Sequence, residues 1–120
     1  MSRKLLINLT TATDNPDKST VAFVVANAGL AAGQEVTIFL NVEGVRLAVD
    51  GHADAVAVDG FKPLKELIDL FTSNGGKLWV CPPCFNARKL NKENLVAGAT
   101  FAGGAAVVEF LEYGAASLSY

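Results

Sequence analysis

The residues best suited to chemistry in this 120-residue chain are its only two cysteines, in the sequence Cys81-Pro-Pro-Cys84. They follow the apolar run Leu78-Trp-Val, which is typical of a buried strand. The two prolines end that strand because neither has an N–H to give to a sheet ladder. A residue before proline is driven out of the helical region, so Cys81 and Pro82 are expected to be extended. A short helix should then run from Pro83 through Arg88.

This placement predicts reactive thiols, because the positive end of a helix dipole and its free amides favour a thiolate. A Cys81 thiolate could take a sulfane sulfur from a donor and hold it as a persulfide. Cys84 could then attack the persulfide and close a disulfide, releasing the sulfur in reduced form. The same pair could run thiol–disulfide exchange, with Cys81 attacking and Cys84 resolving. Both a sulfurtransferase and a thiol–disulfide oxidoreductase therefore fit the pattern.

Two other readings of the cysteines stay open. They could be small structural side chains in a non-catalytic binding or scaffold protein. They could also bind a metal with His52, although three ligands would need another chain to close a zinc tetrahedron. We therefore expect no bound metal. We also expect no cofactor, and Gly98, Gly103 and Gly104 lack a phosphate-loop pattern.

The elements that must position the cysteines alternate between strands and helices. Apolar runs predict strands, and capping residues, prolines and glycines mark the helix ends. Residues 1–120 are expected to form one α/β domain, a five-stranded parallel sheet between helical layers. The predicted strands are Lys4–Leu9, Glu35–Leu40, Leu78–Val80, Val96–Phe101 and Ala115–Ser119. The predicted helices are Pro16 to Gly33, Pro63 to Asn74, Pro83 to Arg88 and Gly103–Tyr113, with a short helical turn at Val42–Leu47 and an undecided region at Ala48–Gly60.

Ligands of such sheets gather where the strands end, so three segments are candidates for the site. They hold the candidate substrate-binding residues Thr10, Asp14, Asn15 and Glu43, in addition to the cysteines. The first three could equally be capping groups, and Glu43 a solvated loop charge. Arg88 is a solvated helix charge in one reading and a group that tunes the thiols in the other.

The composition of the chain limits the classes of molecule that it is expected to bind. The net charge is −2 with 18% charged residues, and no basic stripe could neutralise a run of phosphates, which argues against nucleic acid. Glu109 interrupts the longest apolar stretch near the end of the chain, so no membrane span is expected. Two cysteines without a signal sequence indicate the cytoplasm. The 51% apolar content suggests that some surface is buried in a homo-oligomer. The helix that begins at Pro16 is apolar on most sides, with one stripe of Val21, Val24, Val25 and Ala28 and with Phe23, Ala26 and Leu30 covering much of the rest, which suits burial by the sheet and by a neighbouring subunit.

Several segments together resemble small proteins of the DsrE type. The resemblance covers essentially the whole chain and is most specific at the cysteine motif. The matching segments are Asn8-Leu-Thr, Asp14-Asn-Pro-Asp, Thr20-Val-Ala-Phe, Phe39-Leu, Glu43-Gly-Val, Gly75-Gly, Val80-Cys-Pro-Pro-Cys, Gly114-Ala and Leu118-Ser-Tyr.

The resemblance implies the DsrE/DsrF-like fold, also called YchN-like, with a five-stranded parallel sheet. It implies a homo-oligomer, such as a dimer, trimer or hexamer. In the sulfur-relay members a cysteine at the end of this strand carries a persulfide between partner proteins, and Cys81 occupies that place. Sulfur donor and acceptor proteins are thus the implied partners. Cys84 and the two prolines depart from the relay pattern.

Overall fold

Five parallel strands form one sheet in the order β4-β3-β2-β1-β5. The structure, a computed structural model, describes residues 3–120. The predicted five-stranded parallel sheet is confirmed, and β1 and β2 have the predicted bounds. Both are largely apolar, and Asn8 in β1 and Thr37 in β2 are the polar residues between apolar ones. The strands are β1 (Lys4–Leu9), β2 (Glu35–Leu40), β3 (Lys77–Val80), β4 (Ala99–Phe101) and β5 (Ala116–Ser119).

The helices begin and end close to where capping residues predict. Asn15 caps α1, its side-chain oxygen accepting from the Lys18 N–H at 3.1 Å, and Pro16 is the first helical residue. The helices are α1 (Pro16–Ala31), α2 (Leu64–Ser73), α3 (Pro82–Ala87) and α4 (Gly104–Leu111), with 3-10 helices at Val42–Ala48 and Lys92–Asn94.

One face of the sheet carries the main core. Alternate strand residues such as Ile7, Ile38 and Leu78 are fully buried there beneath α1 and α2. Phe23 of α1 and Phe71 of α2 meet edge to face, with ring centroids 5.8 Å apart. The three chain segments β1–α1–β2, β2–α2–β3 and β3–α3–β4 step across the sheet in one direction.

The predicted apolar stripe of α1 is not the buried one. Its valines at 21, 24 and 25 are only half-buried and Ala28 is exposed, while Ala22, Phe23, Ala26 and Gly29 are buried. Small residues are needed on this side because the helix lies close to the sheet. A Cβ built on Gly29 would lie 2.9 Å from a Val36 methyl carbon, closer than real side chains approach.

The opposite face of the sheet is covered only in part, by α4. Phe110 is buried there and meets Trp79 edge to face at 5.7 Å, with the Lys4 ammonium 5.3 Å from its ring centroid. The segment β4–α4–β5 returns across the sheet, and a right-handed crossover in that direction places its helix on this second face. Val108 of α4 does not face the sheet, since 69% of it is exposed.

The last strands and the undecided region differ most from expectation. β4 begins at Ala99 rather than Val96, because Gly98 turns the chain with φ +85° and the Val96 N–H donates to Ala48 instead. The region 48–60 is a series of turns, joined to the rest by a bridge between Val49 and Leu95. Within residues 3–120, no helix is both long and apolar enough to cross a membrane.

Candidate functional site

The carboxyl ends of β2 and β3 lie side by side and bring two predicted site segments together. The Cys81 N–H donates to the Leu40 carbonyl at 3.0 Å, which extends the pairing of β3 with β2 by one residue. The Asn41 N–H in turn donates to the Leu9 carbonyl at the end of β1. The loop holding Glu43 and the turn holding the cysteines therefore leave the sheet at neighbouring points.

Helix α3 begins one residue earlier than predicted. Cys81 is extended as expected, with φ −65° and ψ 114°, but Pro82 is already helical. The N–H groups in the first turn of a helix have no partner within the helix, so both prolines fit there. This outweighs the usual preference of a residue before proline, here Pro82, for an extended backbone. Phe85 anchors the helix, being fully buried and 5.1 Å from the Phe101 ring.

Both cysteines are free thiols and both are partly exposed. Burial raises the pKa of the Cys81 thiol above its ordinary value, and the neighbouring Cys84 thiol raises it further. The backbone N–H of Cys84 and the charge of Arg88 act in the opposite direction but do not outweigh them. The expectation of an unusually acidic thiol is therefore wrong for the isolated chain, because desolvation of the sulfur dominates.

Glu43, in the first 3-10 helix, binds two arginines: Arg46 in its own helix and Arg88 at the end of α3. The Arg88 Nε donates to Glu43 Oε2 at 2.6 Å, and the Arg46 Nε donates to Glu43 Oε1 at 2.8 Å. Arg88 also donates from Nη1 to the Cys84 carbonyl at 3.1 Å. The hydrogen bonds from Arg88 and Arg46 lower the pKa of the Glu43 carboxyl, so it is ionised at neutral pH.

The loop that carries Glu43 is held tightly against the sheet. Gly44 is buried, and a Cβ there would overlap the Leu9 carbonyl oxygen, so only glycine fits. The Asn41 side chain donates to Asn8 Oδ1 at 2.5 Å and to the Phe39 carbonyl at 3.2 Å. Val42, between Asn41 and Glu43, has φ +53°, a value that a β-branched residue rarely adopts. Such strain often accompanies functional sites, and here it lies next to Glu43, whose carboxylate pairs with Arg88 at the end of α3.

His52 lies at the border of this cluster. Its Nε2 is 3.2 Å from the Thr13 hydroxyl, and burial lowers the pKa of its imidazole, with Arg46 adding to the effect and Glu43 opposing it. The ring is therefore uncharged at neutral pH. Residues 3–120 contain no group of three or more histidine, cysteine, aspartate or glutamate side chains that could hold a metal.

Three predicted substrate-binding residues form hydrogen bonds away from the cluster. The Thr10 hydroxyl donates to the Tyr120 carbonyl at 3.0 Å and ties β1 to the end of β5. Asp14 accepts from the Ala12 N–H at 2.7 Å within its own loop, and Asn15 caps α1. Within the described chain, no hydrogen bond joins these three residues to the cysteines or to Glu43. A role for them in substrate binding stays a prediction.

Sequence reasoning missed Arg46, although a local signal for it exists. Glu43 and Arg46 are three residues apart in a helical turn, the spacing at which opposite charges pair. The structure thus groups two thiols, two guanidinium groups and one carboxylate at one edge of the sheet. Such a set can support nucleophilic attack by sulfur and can bind an anion.

Comparison with known proteins identifies relatives in an archaeon. The chain is 33% identical over 108 residues to the uncharacterized protein MJ0760 of Methanocaldococcus jannaschii, covering 90% of this chain and 39% of that protein. It is 32% identical over 99 residues to MJ0989 of the same organism, covering 82% of this chain and 83% of that protein. The chain therefore spans well under half of the first relative and most of the second.

Solved structures share the fold at low sequence identity. The YchN protein from E. coli superposes with a TM-score of 0.75 at 10% identity, covering 100% of both chains. MTH1491 from Methanobacterium thermoautotrophicum has a TM-score of 0.70 at 14% identity, covering 99% of this chain and 100% of that one. The sequence profile of the DsrE/DsrF-like family matches residues 3–120, and that family is generally linked to sulfur relay. The chain belongs to the DsrE/DsrF-like family.

Proposed function

We propose that this protein handles sulfur through Cys81, taking up a sulfane sulfur as a persulfide with Cys84 as the second thiol. The observation that carries the proposal is the pair of free, partly exposed thiols next to each other at the end of β3. Family membership supports it, since DsrE-like proteins are generally linked to sulfur relay. The Glu43–Arg88 ion pair supports it further, because it ties the cysteine turn to the loop after β2.

The chemistry needs no further oxidant. The Cys81 thiolate attacks the sulfane sulfur of a donor, a new S–S bond forms at Cys81 Sγ, and the donor's own S–S bond breaks with its electron pair leaving on the donor. The Cys84 thiolate can then attack Cys81 Sγ. That step forms the Cys81–Cys84 disulfide and expels the outer sulfur as hydrosulfide.

The raised pKa of Cys81 is compatible with this role. A thiolate with a higher pKa is intrinsically more nucleophilic, although less of it is present at neutral pH. A resting thiol that is mostly protonated also resists oxidation. Attack is then expected to speed up as pH rises above neutrality.

The experiment that tests the proposal is intact-mass spectrometry of the reduced protein before and after exposure to a sulfane-sulfur donor. The parent should gain the mass of one sulfur atom, removable by a reductant. Cys81→Ser should lose this gain, whereas Cys84→Ser should retain the adduct for longer because the resolving thiol is gone. Equal loading of the parent and both variants would contradict the proposal.

A second candidate, a thiol–disulfide oxidoreductase, is favoured by the position of the Cys84 thiol, which is near enough to raise the pKa of Cys81. It predicts the loss of two hydrogens from the parent under mild oxidation, and no sulfur adduct on Cys84→Ser after donor treatment. A protein that shows neither change would instead have structural cysteines, as a scaffold protein would.

We also propose that the chain assembles with copies of itself. All four residues of β5 are exposed, and in the segment before it Val108 of α4 and Tyr113 are exposed by 69% and 78%. A pocket of about 280 Å³ lies between α4 and the sheet, lined by Trp79 and Phe110 among others. Apolar surface of this kind on an edge strand and its neighbouring helix is typical of an interface.

A further inference from the structure

The cluster around Glu43 has one more positive charge than negative. Two guanidinium groups, Arg46 and Arg88, face a single carboxylate. His52, the other titratable group beside them, is uncharged at neutral pH because burial lowers its pKa. One positive charge is therefore left without a partner at the side of the cysteine turn.

Both arginines also have N–H groups that donate no hydrogen bond within the described residues. A guanidinium has five N–H donors, of which Arg46 uses the one on Nε, and Arg88 uses that on Nε and one on Nη1. Among the described residues, the terminal N–H groups of Arg46 have no partner. The two side chains are 34% and 22% exposed, so solvent and small ligands reach them.

Arg88 connects the arginine pair to the cysteine turn, and Arg46 is joined to Arg88 through Glu43. Arg88 bonds the carbonyl of Cys84, and its charge acts on the Cys81 thiol. The backbone on either side of Glu43, whose carboxylate holds both arginines, is fixed by the Gly44 contact with β1 and by the Asn41 side chain. Charged side chains that are already fixed lose little conformational entropy when a ligand binds, which favours binding.

We propose that Arg46 and Arg88 form a subsite for the negatively charged end of a small sulfane-sulfur donor, with Glu43 as the residue that positions them. This inference rests on the proposed uptake of sulfur by Cys81 and names the class of donor. The Cys81 thiolate attacks the outer sulfur of a donor such as a thiosulfonate. The donor's S–S bond breaks, and its electron pair leaves with the anionic sulfinate that the arginines hold.

The test measures the anion preference of Cys81 apart from its sulfur chemistry. Iodoacetate and iodoacetamide have nearly the same size, but only iodoacetate is negatively charged. The rate constants of both reagents are measured at Cys81 in a Cys84→Ser background, so that one thiol remains. Their ratio cancels the thiolate fraction, since both reagents attack the same thiolate, and a change in the pKa of Cys81 leaves it unchanged.

We expect Arg46→Met and Arg88→Met each to lower the iodoacetate-to-iodoacetamide ratio about fivefold, the effect of one partly screened charge a few ångström away. Arg88→Lys should restore most of the ratio. Arg3→Met is the matched control, because Arg3 precedes β1 and the site lies at the other end of the strands. The six residues of β1 separate the two ends by about 20 Å. It should leave the ratio unchanged.

A ratio that does not respond to either Arg46→Met or Arg88→Met would overturn the subsite, even in a protein that takes up sulfur. A ratio that falls as expected supports it, even if no donor loads Cys81. In that second case the proposed sulfur chemistry would fail and the anion site would remain. Circular dichroism of each variant shows that it is folded, and Arg46→Met tests the subsite if Arg88→Met does not fold.

Discussion

At the scale of single residues, Glu43 is the side chain on which the site depends most. It is the only acidic group between two arginines from different segments, and their hydrogen bonds lower the pKa of its carboxyl. Because this pKa is lower in the folded than in the unfolded chain, ionised Glu43 stabilises the fold. The stabilisation is complete above the unfolded pKa, near 4.3, and is lost as pH falls through the folded pKa.

Replacing Glu43 with glutamine should therefore have a pH-dependent effect. At pH 7 we expect Glu43→Gln to lower the free energy of unfolding by about 1 kcal/mol, since two charge-assisted bonds are weakened. The difference from the parent should shrink as the pH falls from about 5 to 3, because the parent carboxyl then becomes protonated. Urea denaturation at each pH measures it.

Asp69→Asn is the control for this effect. Asp69 also pairs with a basic side chain, Lys65 at 2.8 Å, but both side chains are more than half exposed. An exposed pair of this kind contributes little, so Asp69→Asn should change the stability hardly at all. A Glu43→Gln difference that stays constant between pH 7 and 3 would show that ionised Glu43 is not the stabilising form.

At the scale of elements, the start of the first 3-10 helix, directly after β2, is built under strain. Val42 has a positive φ, and nearly half of its side chain is exposed, so little burial is gained from the valine. The backbone on either side is held by Asn41 and Gly44, which keeps the strained residue in place. The strained backbone at Val42 lowers the local stability, and it accompanies a fixed backbone position of Glu43.

Substitutions at Val42 should show an inverted order of stability. At an ordinary position alanine is more stable than glycine by roughly 0.5–1 kcal/mol. At Val42 we expect Val42→Gly to be more stable than Val42→Ala by about 1 kcal/mol, because only glycine adopts a positive φ without a steric cost. Chemical denaturation of the two variants gives the difference. Greater stability of the alanine variant would mean that the loop does not hold a positive φ.

At the scale of the whole molecule, the two faces of the sheet are covered unequally. α1 and α2 bury one face almost completely, whereas the other has α4 alone, and β5 is exposed along its length. This asymmetry follows from topology, because three crossovers run one way across the sheet and one returns. The second face is where a copy of the chain would bury the most apolar surface.

A charge on α4 should therefore weaken self-association. We expect Val108→Lys to raise the dissociation constant of the oligomer at least tenfold, since a lysine there would be desolvated, without changing the fold. Leu70→Lys is the matched control, an exposed leucine on α2 at the other face. Sedimentation velocity over a concentration series measures both. An unchanged oligomer in Val108→Lys, or a monomeric parent, would contradict an interface at α4.

The sequence by itself determined most of the elements and the chemical groups of the site. Largely apolar runs specified β1 and β2, because a buried strand tolerates few polar residues. The caps and prolines specified the starts of α1 and α2. The general rule that ligands gather where parallel strands end was enough to associate Glu43 with the cysteines.

Only the tertiary structure decided how these groups act on one another. Arg88 meets Glu43 across 45 positions of the chain, and that contact depends on the neighbouring positions of β2 and β3 in the sheet. Whether the pKa of Cys81 is raised or lowered also depends on packing, because burial of the sulfur outweighs the local effects that favour a thiolate. Contacts between distant segments and the loss of solvent around a side chain are products of the packed molecule, and no local pattern encodes them.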